Sequence, residues 1–309
     1  MTPLKHARTD VLDIGYHEVG PIAGPAVVLL HGYPYDVHSY AEVAPRLGAL
    51  GYRVVVPYLR GHGPTRFLDP ATSRSGQQAA LGADVIGLLD ALDIPEAVLA
   101  GYDWGGRAAC VVAALRPERV SGLVSVNGYL IQDIAASAQP IRPDLEAGFW
   151  YFYYFLTDRG RAGLIANRRE IAEVIWRRNS PAWDFDRETL DRSAEAFDNP
   201  DYVEVVLHSY RHRLGRSAGA PEYAAAEQAL ALQPRISVPT VTLAGLADGN
   251  FPVTPELTDI DRFAGPRLDR RVPHVGHNLP QEAPDAFVQA VLDVTRLARR
   301  HADAAPDAS

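Results

Sequence analysis

The chain has 309 residues, 47% apolar and 22% charged, the balance of a globular protein with room for one large core and an insertion. Its formal charge of −8 argues against nonspecific nucleic-acid binding, and no apolar run is long enough to span a bilayer. The single cysteine, Cys110, excludes an intrachain disulfide, and residues 1–10 are too polar for a signal peptide, so a cytoplasmic location is expected.

In chain order, residues 11–18 read as an N-terminal hairpin strand and 26–30 as a buried strand that runs into His31-Gly32-Tyr33-Pro34. A strand is expected at 53–56. Residues 77–92 place Leu81, Val85, Leu88, Leu89 and Leu92 near one helical stripe, with Ser75 as the expected cap. Further strands are expected at 97–100, 123–126, 240–244 and 268–272. A helix at 286–297 carries Phe287, Val291, Val294 and Leu297 on one face, before a flexible polar tail. This alternation predicts an α/β protein with a mostly parallel sheet covered by helices on both faces. Between residues 132 and 233 the strand pattern disappears and helical segments rich in aromatics and arginines take over. The expected division is a first core part at 1–131, a helical cap at 132–233, a second core part at 234–300 and a tail at 301–309. The pairs Arg168-Arg169 and Arg177-Arg178 read as solvated faces. Ligand sites in open α/β sheets lie at the carboxyl ends of the strands, which a cap would cover.

The chemistry concentrates in three loops. In Gly101-Tyr102-Asp103-Trp104-Gly105-Gly106, an apolar strand turns sharply into a small-residue helix, and the glycines give the central side chain clearance. That residue is Asp103, in a turn whose usual nucleophile is serine. A carboxylate attacking an acyl carbon would make a reactive anhydride; attacking saturated carbon with a leaving group, it makes an ordinary ester that water can cleave. Asp103 therefore points to hydrolysis at sp3 carbon. The Tyr33 and Trp104 N–H groups are the expected oxyanion donors. His277, in Val275-Gly276-His277-Asn278, suits a base that activates water, its ordinary pKa lying at about 6.5. His274 competes for that role, but Gly276 favours His277. A metal bound by the two histidines is not expected, because no third ligand has matching spacing. Asp248, in Ala247-Asp248-Gly249, would orient the imidazole. The order nucleophile, acid, histidine is the one this kind of sheet uses.

These motifs together resemble the α/β-hydrolase-fold epoxide hydrolases, over nearly the whole chain to about residue 297. Haloalkane and haloacid dehalogenases share the Asp-Trp-Gly-Gly turn, and the cap separates the two activities. A halide leaves as a stable anion, whereas an opened epoxide leaves as a basic alkoxide that needs a proton. Phenols with an ordinary pKa of about 10 can supply it. The resemblance implies two cap tyrosines. Tyr151, in the run Phe149-Trp150-Tyr151-Phe152-Tyr153-Tyr154-Phe155, matches the first, with Tyr153 and Tyr154 as fallbacks. Tyr210, before Arg211, matches the second better than Tyr202, because after Asn199-Pro200 it shares a helical face with Val203, Val206, Leu207 and Leu214. Phe152 stands where the family often has glutamine, which predicts a drier, more aromatic pocket. His31, Pro34, Trp150 and Tyr154 are expected to line the substrate space. Trp176 and Trp183 add to the case for a bulky or aromatic substrate. The resemblance implies epoxide hydrolysis to a vicinal diol through an Asp103 ester. It implies no metal or cofactor, a small-molecule substrate, no nucleic-acid or membrane partner, and leaves a homodimer open. The competing functions are a dehalogenase with the same triad and a non-catalytic ligand-binding protein on a hydrolase scaffold.

Overall fold

The structure is a computed structural model whose described residues are 2–251 and 259–304. One sheet organises it. Strands β1 (Lys5–Arg8) and β2 (Leu12–Val19) form an antiparallel hairpin, and β2 continues antiparallel to β4 (Arg53–Pro57). From β4 the sheet is parallel through β3 (Ala26–Leu30), β6 (Ala97–Gly101), β7 (Val120–Val126), β8 (Thr240–Gly245) and β9 (Arg267–Val272). A two-residue strand, β5 (Arg66–Phe67), pairs with β2. It is too short to leave a pattern in the sequence.

The central strands are apolar at nearly every position because both sheet faces are covered. Val27 to Leu30 and Leu99 to Ala100 are wholly inaccessible. Helices α1 (Val43–Ala49), α2 (Gln78–Ala91) and α3 (Asp103–Leu115) follow the first strands. α2 packs on α3, which lies against β3, β6 and β7. α1 packs with the last helix, which lies against β6, β7 and β8. Gly105 lets α3 sit against the sheet: a Cβ there would lie 2.1 Å from the Leu30 carbonyl oxygen. Because that neighbour is backbone in a central strand, Gly105→Ala is expected to lower stability by about 3 kcal/mol, the upper end of the overpacking range. Urea denaturation of the variant, with no shift in midpoint, would contradict this packing.

Between β7 and β8 the described chain is helical: α4 (Pro143–Gly148), α5 (Trp150–Tyr154), α6 (Asp158–Ala166), α7 (Arg168–Asn179), α8 (Arg187–Ala194), α9 (Tyr202–Arg213) and α10 (Ala224–Ala231). Arg168, Arg169 and Arg177 each pair with a carboxylate of this layer (Asp198, Asp191 and Glu173) on its accessible side. Trp176 is fully buried, stacks on Trp183 at 5.3 Å, and donates its indole N–H to the Pro34 carbonyl at 2.7 Å. Trp176 therefore ties this layer to the loop after β3, with Trp183 stacked on it, so the pair has a structural place and does not by itself argue for a bulky substrate. The short α11 (Leu279–Glu282) and long α12 (Pro284–Ala304) close the chain.

Two expectations about helix ends change. α2 is capped at Gln77, not Ser75, whose hydroxyl instead donates to the Gln77 side chain at 2.7 Å. α12 runs to Ala304, so residues 301–304 of the expected tail are helical; their charged face is compatible with a solvated helix surface. The rest of that tail lies outside the described residues. Among the described residues no helix is long and apolar enough to cross a membrane.

Candidate active site

Asp103 is the first residue of α3 and takes φ of 48°, a left-handed conformation that costs a non-glycine residue on the order of 1–3 kcal/mol. The strain turns its side chain out of the β6–α3 corner toward the loop after β3. Gly32 in that loop must lack a Cβ, which would lie 2.7 Å from Asp103 Cβ. The close approach lets the Tyr33 N–H donate to Asp103 Oδ1 at 2.7 Å. The helix N-terminus adds a favourable field for the carboxylate. The Trp104 N–H makes no hydrogen bond to Asp103 among the described residues. It is near the N-terminus of α3, where amides lack intrahelical acceptors.

His277 comes from the loop after β9 and is fully buried. Its Nδ1 lies 2.9 Å from Asp248 Oδ2, and its Nε2 lies 3.8 Å from Asp103 Oδ2 and has no hydrogen-bond partner. The second distance is too long for a direct bond and leaves Nε2 free to engage a water. Asp248 is held hard: its Oδ1 accepts the N–H groups of Asn250 (2.7 Å) and Phe251 (2.9 Å), and Oδ2 also accepts from Asn127 Nδ2 at 2.9 Å. The His277 N–H donates to Ser180 Oγ at 2.9 Å, which ties this loop to the helical layer. His274, by contrast, is exposed.

Burial alone would raise the pKa of both carboxylates, but the facing imidazole and their N–H and amide donors hold Asp103 and Asp248 below the usual range. Burial alone would lower that of His277; the charges of Asp248 and Asp103 and the Asp248 hydrogen bond overcome it and hold the imidazole above its ordinary value. The sign follows directly. Removing the Asp103 charge removes one of the forces favouring imidazolium, so Asp103→Asn is expected to lower the His277 pKa. An imidazole NMR titration showing no fall would contradict this coupling.

Tyr151 on α5 and Tyr210 on α9 meet above Tyr33. Their rings are 5.4 Å apart and nearly perpendicular, and lie 6.3 and 5.3 Å from the Tyr33 ring. Tyr210 is also 6.0 Å from the Trp104 ring. Burial raises both phenols, with the Asp103 charge adding to it for Tyr151, and Tyr151 and then Asp103 adding to it for Tyr210, so they keep their protons. The fallbacks are elsewhere: Tyr153 is exposed and bonds to Glu146, and the Tyr154 hydroxyl lies against Gly163 of α6. Tyr202 is fully buried against Tyr33 and Phe197, and its ring is 6.2 Å from the first.

Three of the expected substrate contacts are taken up structurally. His31 is buried, with Nδ1 against the Gly32 carbonyl (2.9 Å) and Nε2 accepting the Leu59 N–H (3.1 Å), which leaves no ring nitrogen for a ligand. Burial lowers its pKa to about 3. The Pro34 carbonyl is occupied by Trp176. Tyr154 packs on α6 and on Trp150, which is half-buried and also contacts Tyr151. Sequence reasoning missed Asn127, which takes φ of 68°; the Asn127-Gly128 dipeptide after the strand is the turn signal that could have marked it. It also missed Phe251, stacked 5.7 Å from the His277 ring.

The sequence profile of the alpha/beta hydrolase fold matches residues 25–284. Among solved structures, the chain is 49% identical to a candidate epoxide hydrolase from Klebsiella pneumoniae, covering 95% of this chain and 97% of that one with a TM-score of 0.93. Among curated proteins, it is 35% identical over 133 residues to "Epoxide hydrolase 2" of Siraitia grosvenorii, covering 43% of this chain and 41% of that protein. It is 31% identical over 203 residues to "AB hydrolase superfamily protein YfhM" of Bacillus subtilis, covering 65% of this chain and 70% of the relative. The match to the first two curated relatives thus spans about two fifths of their length. The chain belongs to the alpha/beta hydrolase fold family, among relatives that carry the name epoxide hydrolase.

Proposed function

We propose that the protein hydrolyses an epoxide to a vicinal diol through a covalent ester on Asp103, with residues 132–233 acting as the cap. The observation that carries the reading is the pairing of the Tyr151 and Tyr210 phenols beside Tyr33 and Trp104, the two residues that flank the Asp103 carboxylate. Asp103 Oδ1 is held by the Tyr33 N–H and becomes the ester carbonyl oxygen. Oδ2 attacks a ring carbon while the two phenols hold the epoxide oxygen, and one of them gives it a proton as the C–O bond breaks. Alkylation removes the Asp103 charge, which lowers the His277 pKa toward the range of a base. His277 Nε2 then takes a proton from water as the water attacks the ester carbonyl. Asp248 stabilises the imidazolium, and the Tyr33 N–H, joined by that of Trp104, holds the oxyanion. One such donor is typically worth about 3–4 kcal/mol. As this intermediate collapses, the departing diol oxygen takes the proton held by His277, and the new Asp103 carboxyl gives its proton to the phenolate, which restores the carboxylate, the imidazole and the phenol. No cofactor is required by these steps, and the substrate is a small molecule.

His277→Gln tests the sequence of steps. It is expected to consume about one equivalent of epoxide per enzyme and then stall, leaving Asp103 heavier by the mass of the substrate. Steady multiple turnover by that variant, with no adduct on the Asp103 peptide, would overturn the assignment of His277 to the second step.

A further inference from the structure

Among the described residues, two arginines near the site have no acid in direct contact with them; both feel the charge of Asp103 only at a distance. Arg107 lies one turn along α3 from Asp103 and is 3% exposed. Arg213 ends α9, the helix that carries Tyr210, and its guanidinium lies 4.5 Å over the Phe152 ring. With its amide turned so that the oxygen faces them, Gln132 accepts from both Nε atoms, at 3.2 Å from Arg107 and 3.1 Å from Arg213. Neither arginine forms an ion pair among the described residues. Burying two like charges around one neutral amide is costly unless an anion completes the cluster.

Both arginines line a cavity of about 340 Å³, whose apolar wall includes Phe149, Phe152 and Phe251. That wall is one ring thick. Phe152 packs on Tyr210 at 4.7 Å and Tyr151 at 4.9 Å, and Phe251 covers His277. Two acids also line the cavity, the exposed Asp133 and the half-buried Glu146, and neither pairs with Arg107 or Arg213. Asp133 accepts the Ala136 N–H at 3.0 Å, and Glu146 accepts from Ile141 N and the Tyr153 hydroxyl. Burial and the neighbouring Arg107 lower the Arg213 pKa to about 10, so it stays charged at neutral pH.

We propose that Arg107 and Arg213, bridged by Gln132, form a carboxylate-binding subsite, and that the substrate is an epoxide whose apolar chain or ring also carries a carboxylate. The planar guanidinium edges not used by Gln132 suit the two oxygens of a carboxylate. The aromatic wall packs against the apolar part of the substrate next to the acid. The substrate class rests on the epoxide-hydrolase reading; the anion site does not.

Calorimetric titration tests the subsite without turnover, using phenylalkanoates with chains of two to five carbons, each paired with its amide. At least one acid is expected to bind ten-fold or more tightly than its amide, less so in high salt. Arg213→Gln and Arg107→Gln are each expected to reduce that preference at least ten-fold. Arg213 is the less buried of the two, so its variant decides the matter where Arg107→Gln fails to fold. Acids that bind no better than their amides throughout the series, or a preference untouched by Arg213→Gln, would overturn the subsite. Turnover of the matching epoxy acids and epoxy amides then separates the claims. Selective acid binding with no epoxide opened sinks the hydrolase reading alone, whereas turnover without preference for acids sinks the subsite alone.

Discussion

Asp103→Ala is expected to reduce epoxide turnover by about 10,000-fold or more, the scale on which loss of a covalent nucleophile disables an enzyme whose other groups act only through it. The loss should appear in kcat, with substrate binding retained, because the cap aromatics and the cavity wall are untouched. Stability is expected to fall modestly: the strained φ of 48° costs alanine no less than aspartate, and a carboxylate held below its usual pKa range by His277 and the Tyr33 N–H contributes to the fold at neutral pH. Residual activity within about ten-fold of the wild type would mean that another group attacks the ring.

The second large effect concerns the phenols. Tyr151→Phe and Tyr210→Phe are each expected to lower the rate of epoxide opening by about 10- to 100-fold, since one donor remains. The double variant should lose about 1,000-fold or more, within the range of a general acid. The substitution removes only a hydroxyl from two rings whose packing against Tyr33 is retained, so melting temperature should change little. The same variants would leave a haloalkane dehalogenase largely intact, because a departing halide needs no proton. Pre-steady-state measurement of ester formation with an epoxide and with a matched haloalkane distinguishes the two chemistries. A double variant that still opens epoxides at a near wild-type rate would remove the phenols from the reaction.

The positions of the strands along the chain and of the turn were legible because both are written in local pattern. Residues 97–101 are apolar throughout because both sheet faces are covered, and the glycines flanking Asp103 mark where backbones touch. His277 was separable from His274 by the neighbouring glycine, and the geometry separates them by burial. Tyr210 could be placed from helical phase, with α9 beginning three residues after Asn199. What failed was any inference that depended on where a side chain spends its polar atoms. His31 follows a catalytic-looking strand, yet both ring nitrogens are bonded to the backbone. Trp176 belongs to an aromatic-rich region, yet its indole N–H fastens the helical layer to Pro34. Seven aromatics in succession do not say which face is wet. Only the tertiary structure shows Tyr151 turned inward and Tyr153 outward. Arg107, Gln132 and Arg213 come from three separate segments, and no spacing rule brings them together.

One isotope measurement reaches the covalent step most directly. A single turnover by excess wild-type enzyme in heavy-oxygen water should put the label into the side chain of Asp103 and leave the first diol formed unlabelled. The diol takes its new oxygen from the carboxylate, and water replaces that atom afterwards. Label found at once in the diol, with none in the Asp103 peptide, would mean that water attacks the ring directly and that the ester is never made.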